Sequence, residues 1–402
     1  MLTIQQLKEK YNHEQAVLVL LARLHFNTCT TTEVTDFIAE NKINWALLLQ
    51  ITKAHGLRSF VYYVIKQYKI SVAPAFEERL KKSHDITRRK NLRMAVTLSK
   101  LVGDFKEKGI TLIPYKGVVF AHRYYPDIAL RESADIDFLV AAKNINEIEN
   151  YFIANNYTAK TTVSKAFKKY YQLFFKDMVY STPGTTETFS IEIHWRLMEQ
   201  FSGNYPNYDF FIPHLEPYVL GGLPVNKLSP TYDFLALVSN HFVKDMGIKF
   251  KYLVDVAALI RKENNNIDNK IIFETATHYG FTKRLETGLS LTESLLGVSL
   301  ANLVPYNNAA DAYLPVPLAF PLHLPRLYIN EPEFIKRSLQ LQDNNLRRVK
   351  FILKSIQYMF LPTYADINQL KLPVYFLPLM IIIRPFRLLY LAINPKSSKT
   401  TL

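Results

Sequence analysis

Cysteine and glycine are both scarce in this sequence. Cys29 is the only cysteine among 402 residues, which excludes a disulfide framework or a cysteine-based zinc site within one chain. The 12 glycines are few for this length and argue against a loop-rich or all-β protein. A single cysteine is compatible with a reducing compartment, so we expect a cytoplasmic protein, with or without peripheral contact to a membrane.

The sequence also lacks an apolar signal-peptide core at its start, where it reads MLTIQQLKEK. Its most hydrophobic stretch, residues 374–393, is long enough to span a membrane. However, Pro378 and Pro385 interrupt it, and Arg384 and Arg387 would be costly at mid-membrane. We therefore expect this segment to pack against the protein or to contact an anionic membrane peripherally, without a transmembrane span.

Basic residues exceed acidic ones, and the formal net charge is +14. This excess suits a polyanionic partner such as a nucleotide, RNA or an anionic membrane surface. Hydrophobic residues at 49% and charged residues at 21% are ordinary for a globular protein.

Two aspartates one residue apart, Asp135 and Asp137, end the stretch at residues 110–140. In a β-strand they would project from one face, while Ile136 and Phe138 would project from the other. Neighbouring carboxylates repel each other, and a hard cation such as Mg²⁺ removes that repulsion. The pattern therefore predicts a metal-binding edge on this strand.

Two flanking stretches add chemistry to the aspartates. Upstream, an apolar run over residues 110–114 predicts a strand that leads into Lys116 and Gly117. Gly117 permits close backbone approach to a ligand, and Lys116 supplies a point charge suited to phosphate. Downstream, the alternation in residues 190–195 predicts a strand with Glu192 and His194 on one face. Three carboxylates on neighbouring strands can hold a pair of metal ions for phosphoryl transfer.

At this point the sequence resembles a family. The ordered motifs Lys-Gly, Tyr-Pro-Asp, Arg, Asp-Ile-Asp-Phe-Leu-Val and Glu-Ile-His-Trp are similar to those of uncharacterised bacterial nucleotidyltransferase-like proteins of the DNA polymerase β-type superfamily. Here the motifs begin at Lys116, Tyr125, Arg131, Asp135 and Glu192. The resemblance implies an α+β fold, with a small mixed-sheet nucleotidyltransferase core flanked by N- and C-terminal helical regions. We expect boundaries at residues 1–100, 101–228 and 229–402.

The resemblance also implies a mechanism and a set of site residues. Asp135, Asp137 and Glu192 would be catalytic and would hold two Mg²⁺ ions on the triphosphate of an NTP. Lys116, Gly117 and Arg131 would steady the phosphates. His194, His241 and Asp255 would support the site. The product would be an NMP joined to a hydroxyl acceptor that is a small molecule, a glycan precursor or RNA.

Three interpretations remain open from the sequence. The first is nucleotidyl transfer to a small molecule or glycan precursor. The second keeps the chemistry but makes RNA the acceptor, because the block from Arg131 to Asp137 also resembles toxin-type nucleotidyltransferases. The third is a non-catalytic nucleotide-binding or scaffold protein in a membrane-linked biosynthetic system.

Three further expectations can be compared with the structure. The basic and aromatic stretch at residues 164–171 predicts a helix, either solvated or facing the substrate. The proline-rich residues 301–325 predict a long connection. Because Asp135 and Asp137 repel each other, Asp137→Asn without metal is expected to melt at or above the wild type.

Overall fold

A computed structural model describes residues 1–160, 163, 167–184, 188–198, 205–300, 311, 313–318, 332–361, 376, 379, 382–387 and 390. The helices described are, in chain order, α1 Ile4–Lys10, α2 His13–His25, α3 Thr31–Glu40, α4 Trp45–Ala54, α5 Arg58–Gln67, α6 Pro74–Glu107, α7 Gly117–Tyr124, α8 Ile145–Ala154, α9 Lys168–Phe174, α10 Tyr208–Phe211, α11 Pro230–Val238, α12 Phe250–Glu263, α13 Asn269–Tyr279, α14 Thr282–Leu296, α15 Pro332–Gln340 and α16 Asn345–Phe360. The strands are β1 Ile113–Pro114, β2 Asp135–Leu139, β3 Thr158–Ala159, β4 Asp177–Ser181, β5 Ser190–His194, β6 Leu215–Leu220 and β7 Leu223–Leu228.

The fold is α+β, as the sequence predicts: a small mixed sheet lies between helical regions. Its five strands follow the order β1-β2-β5-β4-β3. Only β2 and β5 pair in parallel, and the other neighbours are antiparallel. The two strands that carry the acidic motifs are therefore adjacent and run in the same direction.

One face of this sheet is apolar because polar and apolar residues alternate along both central strands. Ile136 and Phe138 of β2 and Ile191 and Ile193 of β5 are all buried in one hydrophobic cluster with the C-terminal half of α6. The alternate residues of the same strands project from the opposite face. Burial of the apolar face thus fixes which way the acidic side chains point.

Helix α6 runs unbroken for 34 residues. Pro74 lies in its first turn, where the missing N–H costs nothing. Its packed residues extend from Phe76 to Phe105. The helix crosses the boundary expected at residue 100 and so joins the N-terminal helices to the sheet.

The structure differs from the sequence predictions at two places in the strands. The first strand was expected over residues 110–114, but only Ile113–Pro114 pairs, because the partner strand β2 ends at Leu139, opposite Ile113. The β6–β7 hairpin was not predicted. Its turn is Gly221-Gly222, with φ of 57° and 88°, and such a pair is a recognised hairpin signal.

Three sequence predictions fall wholly or partly outside the described residues. Residues 164–166 of the basic aromatic stretch lie outside, and the helix that follows begins at Lys168. Most of residues 301–325 and of residues 374–393 also lie outside. Within the described part of the chain, every helix is too short or too polar to cross a membrane.

Candidate active site

The acidic residues of β2 and β5 lie on one face of the sheet. In the parallel register Asp135 is opposite Ser190, Asp137 is opposite Glu192, and Leu139 is opposite His194. Aligned residues of neighbouring strands project to the same side. The structure therefore brings Asp135, Asp137 and Glu192 to one face, as the alternation of the sequence predicts.

Asp137 is the most enclosed of the three carboxylates, with a fully buried side chain. Its Oδ1 lies 2.9 Å from Lys116 Nζ and 3.0 Å from His194 Nε2. Burial alone would raise the pKa of Asp137, but Lys116 and the hydrogen bond from His194 outweigh it and hold the pKa well below its usual range. Asp137 is therefore ionised throughout the neutral range.

The Lys116–Asp137 pair reverses the expectation for Asp137→Asn. The sequence argument considered only repulsion between the two aspartates. In the structure, burial opposes the charge of Lys116, but Asp137 and Asp135 hold the pKa of this lysine above its usual range. Removing the charge of Asp137 would leave the ammonium group buried without its closest counter-ion. The variant is therefore expected to be less stable than the wild type without metal.

His194 links the two strands of the site. Its Nε2 lies 3.0 Å from Asp137 Oδ1 and 3.1 Å from Glu192 Oε2. Carboxylate oxygens only accept, so Nε2 must carry the hydrogen. Burial would raise the pKa of Glu192, but the hydrogen bond from His194 outweighs it and lowers that pKa. His194 thereby holds two carboxylates in place at once.

Asp135 differs from Asp137 in the direction in which its pKa is displaced. Burial and the charge of Asp137 raise its pKa to about 6, against the opposing effect of Lys116. Its carboxyl group therefore keeps its proton to a higher pH than the carboxyl of an exposed aspartate does. Lys90 of α6 lies near Asp135, since it donates a hydrogen bond to the carbonyl of the preceding residue, Ala134, at 3.0 Å.

The turn before α7 has an unusual backbone. Lys116 and Gly117 both have positive φ, at 53° and 60°. Glycine adopts this conformation without cost, but a lysine there carries strain of about 1–3 kcal/mol. The strained turn directs Lys116 towards Asp137 rather than outward. Two of the predicted phosphate-binding residues thus lie at the edge of the acidic face.

Arg131, the third predicted phosphate-binding residue, lies behind the turn. Its Nε and Nη2 donate to both carboxylate oxygens of Asp255, at 3.0–3.2 Å. Its Nη1 lies 3.3 Å from the Gly117 carbonyl. The guanidinium is buried, so the structure places Arg131 under the Lys116–Gly117 turn and against α12.

Asp255 is the centre of this second buried network. Besides Arg131, it accepts from Tyr125 Oη at 2.7 Å and from His241 Nε2 at 2.9 Å. Burial would raise the pKa of Asp255, but Arg131 and His241 outweigh it and keep the pKa well below its usual range. Asp255 and His241 are therefore neighbours of the Lys116–Gly117 turn through Arg131, and neither contacts the acidic face directly.

Side chains from three helices hold the segment between α7 and β2 in place. Arg58 of α5 binds Glu132, with Nη2 to Oε2 at 2.7 Å. Asn91 of α6 donates to the Arg131 carbonyl at 2.8 Å. Lys251 of α12 donates to the Glu132 carbonyl, and burial lowers its pKa to about 7. The segment that leads into Asp135 is thus held rigidly.

Two carboxylates beside His194 could hold a metal ion. Ligand atoms of Asp137, Glu192 and His194 all lie within 4.8 Å of one another, but His194 Nε2 carries the hydrogen that it donates to both carboxylates, which leaves the carboxylates as the ligands. Oδ2 of Asp137 is buried and has no hydrogen-bond partner among the described residues, which leaves an anionic oxygen available to a cation. Two carboxylates suit a hard cation such as Mg²⁺. The residues present therefore fit a divalent metal.

Sequence reasoning missed three neighbours of the site. Asp177 of β4 pairs with His194 across the hairpin, and its Oδ2 lies 3.5 Å from His194 Nδ1. A two-residue turn at Pro183 and Gly184 would instead place Asp177 opposite Ser190, so the sequence alone does not reveal this neighbour. The buried Tyr115 ring packs edge-on to His194, and Lys90 approaches from α6. Neither of these two has a local sequence signal.

Comparison with known proteins agrees with this geometry. A family model described as "Uncharacterised nucleotidyltransferase" matches residues 41–297, which include all the site residues discussed above. No curated protein and no solved structure matches the chain. The model covers well over half of the 402 residues, and the chain therefore belongs to this family of uncharacterised nucleotidyltransferases.

Proposed function

We propose that the protein is a metal-dependent nucleotidyltransferase of the DNA polymerase β type, which moves an NMP from an NTP to a hydroxyl acceptor. One observation carries the proposal. Asp137 and Glu192 are direct neighbours in the parallel β2–β5 register, with Asp135 on the same face. Family membership supports the reaction class. A fold alone does not fix a function, so the argument rests on these side chains.

The acidic face would hold the divalent ions. Asp137 and Glu192 offer carboxylate oxygens, and Asp135 becomes a ligand once it loses its proton above about pH 6. When bound, a pair of Mg²⁺ ions neutralises phosphate charge and stabilises the entering and leaving oxygens of the transfer. His194 keeps both Asp137 and Glu192 oriented for this role through its Nε2 hydrogen.

Lys116 and Glu192 have separate roles in the proposed transfer. An oxygen of the acceptor hydroxyl forms a bond to the α-phosphorus, and the bond from that phosphorus to the pyrophosphate oxygen breaks. The hydroxyl proton passes to Glu192, which is ionised at neutral pH, although its lowered pKa makes it a weak base. Lys116, whose ammonium lies 2.9 Å from Asp137 at the edge of the acidic face, would pair with phosphates bound there. Positioning and charge neutralisation would supply most of the rate enhancement.

Arg131, Asp255 and His241 would act as positioning residues. Arg131 contacts the Gly117 carbonyl. Asp255 binds the Arg131 guanidinium and accepts a hydrogen bond from His241. This arrangement makes the nucleotide-binding turn depend on a buried ion pair behind it. Arg131 would therefore steady the phosphates through the Lys116–Gly117 turn.

The basic residues of α6, of which Lys90 lies near the acidic face, favour an anionic acceptor such as RNA. Helix α6 has no acidic residue between Asp85 and Asp104, and that interval contains Arg88, Arg89 and Lys90. The first two are exposed, and Lys90 lies close enough to Asp135 to feel its charge. A phosphate-bearing chain laid along this helix would be attracted towards the acidic face.

The experiment is transfer of label from each α-³²P NTP, with Mg²⁺ and a cell extract as the source of acceptors. Mass spectrometry of the labelled RNA and small-molecule fractions identifies the adduct. We expect wild type and Asp36→Asn, an exposed aspartate on α3, to label one fraction. Asp137→Asn and Glu192→Gln should label none. Equal labelling by all four proteins, or none by the wild type with every NTP, would favour the non-catalytic alternative.

A further inference from the structure

Helix α16 presents an apolar stripe to its surroundings. Leu346, Val349, Leu353, Ile356 and Phe360 are exposed, with fractions between 39% and 63%. They recur at alternating intervals of three and four residues, which places them along one side of the helix. Exposed apolar residues scattered singly need no explanation, but a continuous stripe indicates a docking surface.

The orientation of α16 is fixed from its inner side. Phe351 is buried, and at 100° per residue it lies roughly opposite the stripe. Arg347 donates to the Tyr279 carbonyl at 2.8 Å and to the His278 carbonyl at 3.3 Å. Gly280 makes room for it, since a Cβ there would lie 1.6 Å from the Arg347 guanidinium carbon. These contacts on the inner side therefore orient the stripe away from the rest of the protein.

Charge indicates what covers the stripe. Helix α16 contains four basic residues and no acidic one. Residues 345–402 contain nine Lys and Arg against one acidic residue, Asp366. Arg348 and Lys350 lie on either side of the stripe, roughly 100° from its centre. Flanking cations on an apolar helix face match an anionic lipid surface, where apolar side chains enter the acyl boundary and cations reach the headgroups.

We propose that α16 docks the protein on an anionic membrane surface through Leu346, Val349, Leu353, Ile356 and Phe360, with Arg348 and Lys350 at the headgroups. The helix lies in the plane of the interface. The assignment is independent of the nucleotidyl-transfer chemistry, because no residue of α16 contacts the acidic face among the contacts described. It locates the peripheral membrane contact on a helix outside the hydrophobic segment at residues 374–393.

The test is co-sedimentation of the full-length protein with phosphatidylcholine vesicles, with and without phosphatidylglycerol. We expect binding to the anionic vesicles that weakens with added salt, because the cationic part of the attraction is screened. The double variant Leu346→Gln/Leu353→Gln should lower the partition coefficient by at least about tenfold, given the apolar area withdrawn from the bilayer. Its circular dichroism and melting curve should match those of the wild type, since both leucines are exposed.

Leu92→Gln is the matched control, because Leu92 is also an exposed leucine on a basic helix; its partition should equal that of the wild type. Vesicle binding unchanged in the double variant would overturn the proposal and move the contact to another segment. The proposal would also be overturned if the wild type did not bind anionic vesicles but formed a dimer that the double variant did not form. The stripe would then join two copies of the chain.

Discussion

Asp137→Asn changes the charge of a buried ion pair and should destabilise the protein without metal. The side chain of Asp137 is fully buried, and that of Lys116 is 11% exposed. Removing one partner of such a pair costs about 3–5 kcal/mol, because the other charge remains buried. Asp135 stays near and also favours the charged lysine. We therefore expect a loss near the lower end, about 3 kcal/mol.

The partner substitution separates this cost from a general loss of packing. Lys116→Met/Asp137→Asn removes both charges and keeps a side chain of similar length. We expect the double variant to recover most of the loss, so that the two substitutions show a coupling energy of about 2 kcal/mol. Each protein is unfolded in urea with a chelator present, and unfolding is followed by the fluorescence of the two tryptophans, Trp45 on α4 and Trp195 directly after β5. Asp36→Asn controls for the loss of an exposed aspartate.

The reasoning would be refuted by either of two results. One is an Asp137→Asn protein that is as stable as the wild type without metal. The other is a double variant that is no more stable than the single one. In the first case, repulsion between Asp135 and Asp137 would dominate the acidic face. In the second, Asp137 would stabilise the fold through contacts other than Lys116.

Three more predictions concern the surroundings of the site and α16. The folded-state pKa of Asp135 lies above its unfolded value, so this carboxyl contributes stability at low pH that is lost as pH rises between about 4 and 6. Asp135→Asn removes that loss, so the urea midpoint at pH 7 minus the midpoint at pH 4 should be more positive in the variant than in the wild type; an equal difference in the two proteins would contradict the raised pKa. Asp255→Asn should cost about 3–5 kcal/mol by leaving Arg131 buried without its counter-ion, whereas a urea midpoint equal to that of the wild type would show that the ion pair is dispensable. Gly280→Ala should lower the free energy of unfolding by about 1–3 kcal/mol, because φ is 78° and the new Cβ would meet Arg347. The same change should weaken vesicle binding. A variant that is as stable as the wild type and binds vesicles normally would show that Arg347 does not orient α16.

Local periodicity accounts for what the sequence could predict. Alternation in β2 and β5 placed Asp135, Asp137, Glu192 and His194 on common faces, and the structure confirms that placement. Such alternation depends on neighbours within a few residues, which is the range that a sequence pattern records. The α+β architecture, by contrast, was implied by the resemblance of the ordered motifs to a nucleotidyltransferase family.

Pairings between distant residues could not be predicted in this way. Arg131 and Asp255 are 124 positions apart, and no local pattern records that one neutralises the other. Lys116 was expected at the phosphates, but its closest charge in the structure is Asp137. That pairing depends on a lysine with positive φ, a conformation that lysine rarely adopts. The sign of the Asp137→Asn effect changed for this reason alone.

The central claim is that the acidic face binds divalent metal together with a nucleotide. The most direct measurement is a Mn²⁺ titration followed by electron paramagnetic resonance, with a non-hydrolysable NTP analogue present. We predict that wild type and Asp36→Asn bind the ion, and that Asp137→Asn and Glu192→Gln each weaken binding by at least about tenfold, because an amide is a much poorer ligand for a hard cation. Equal Mn²⁺ affinity in all four proteins would contradict the assignment of Asp137 and Glu192 as metal ligands.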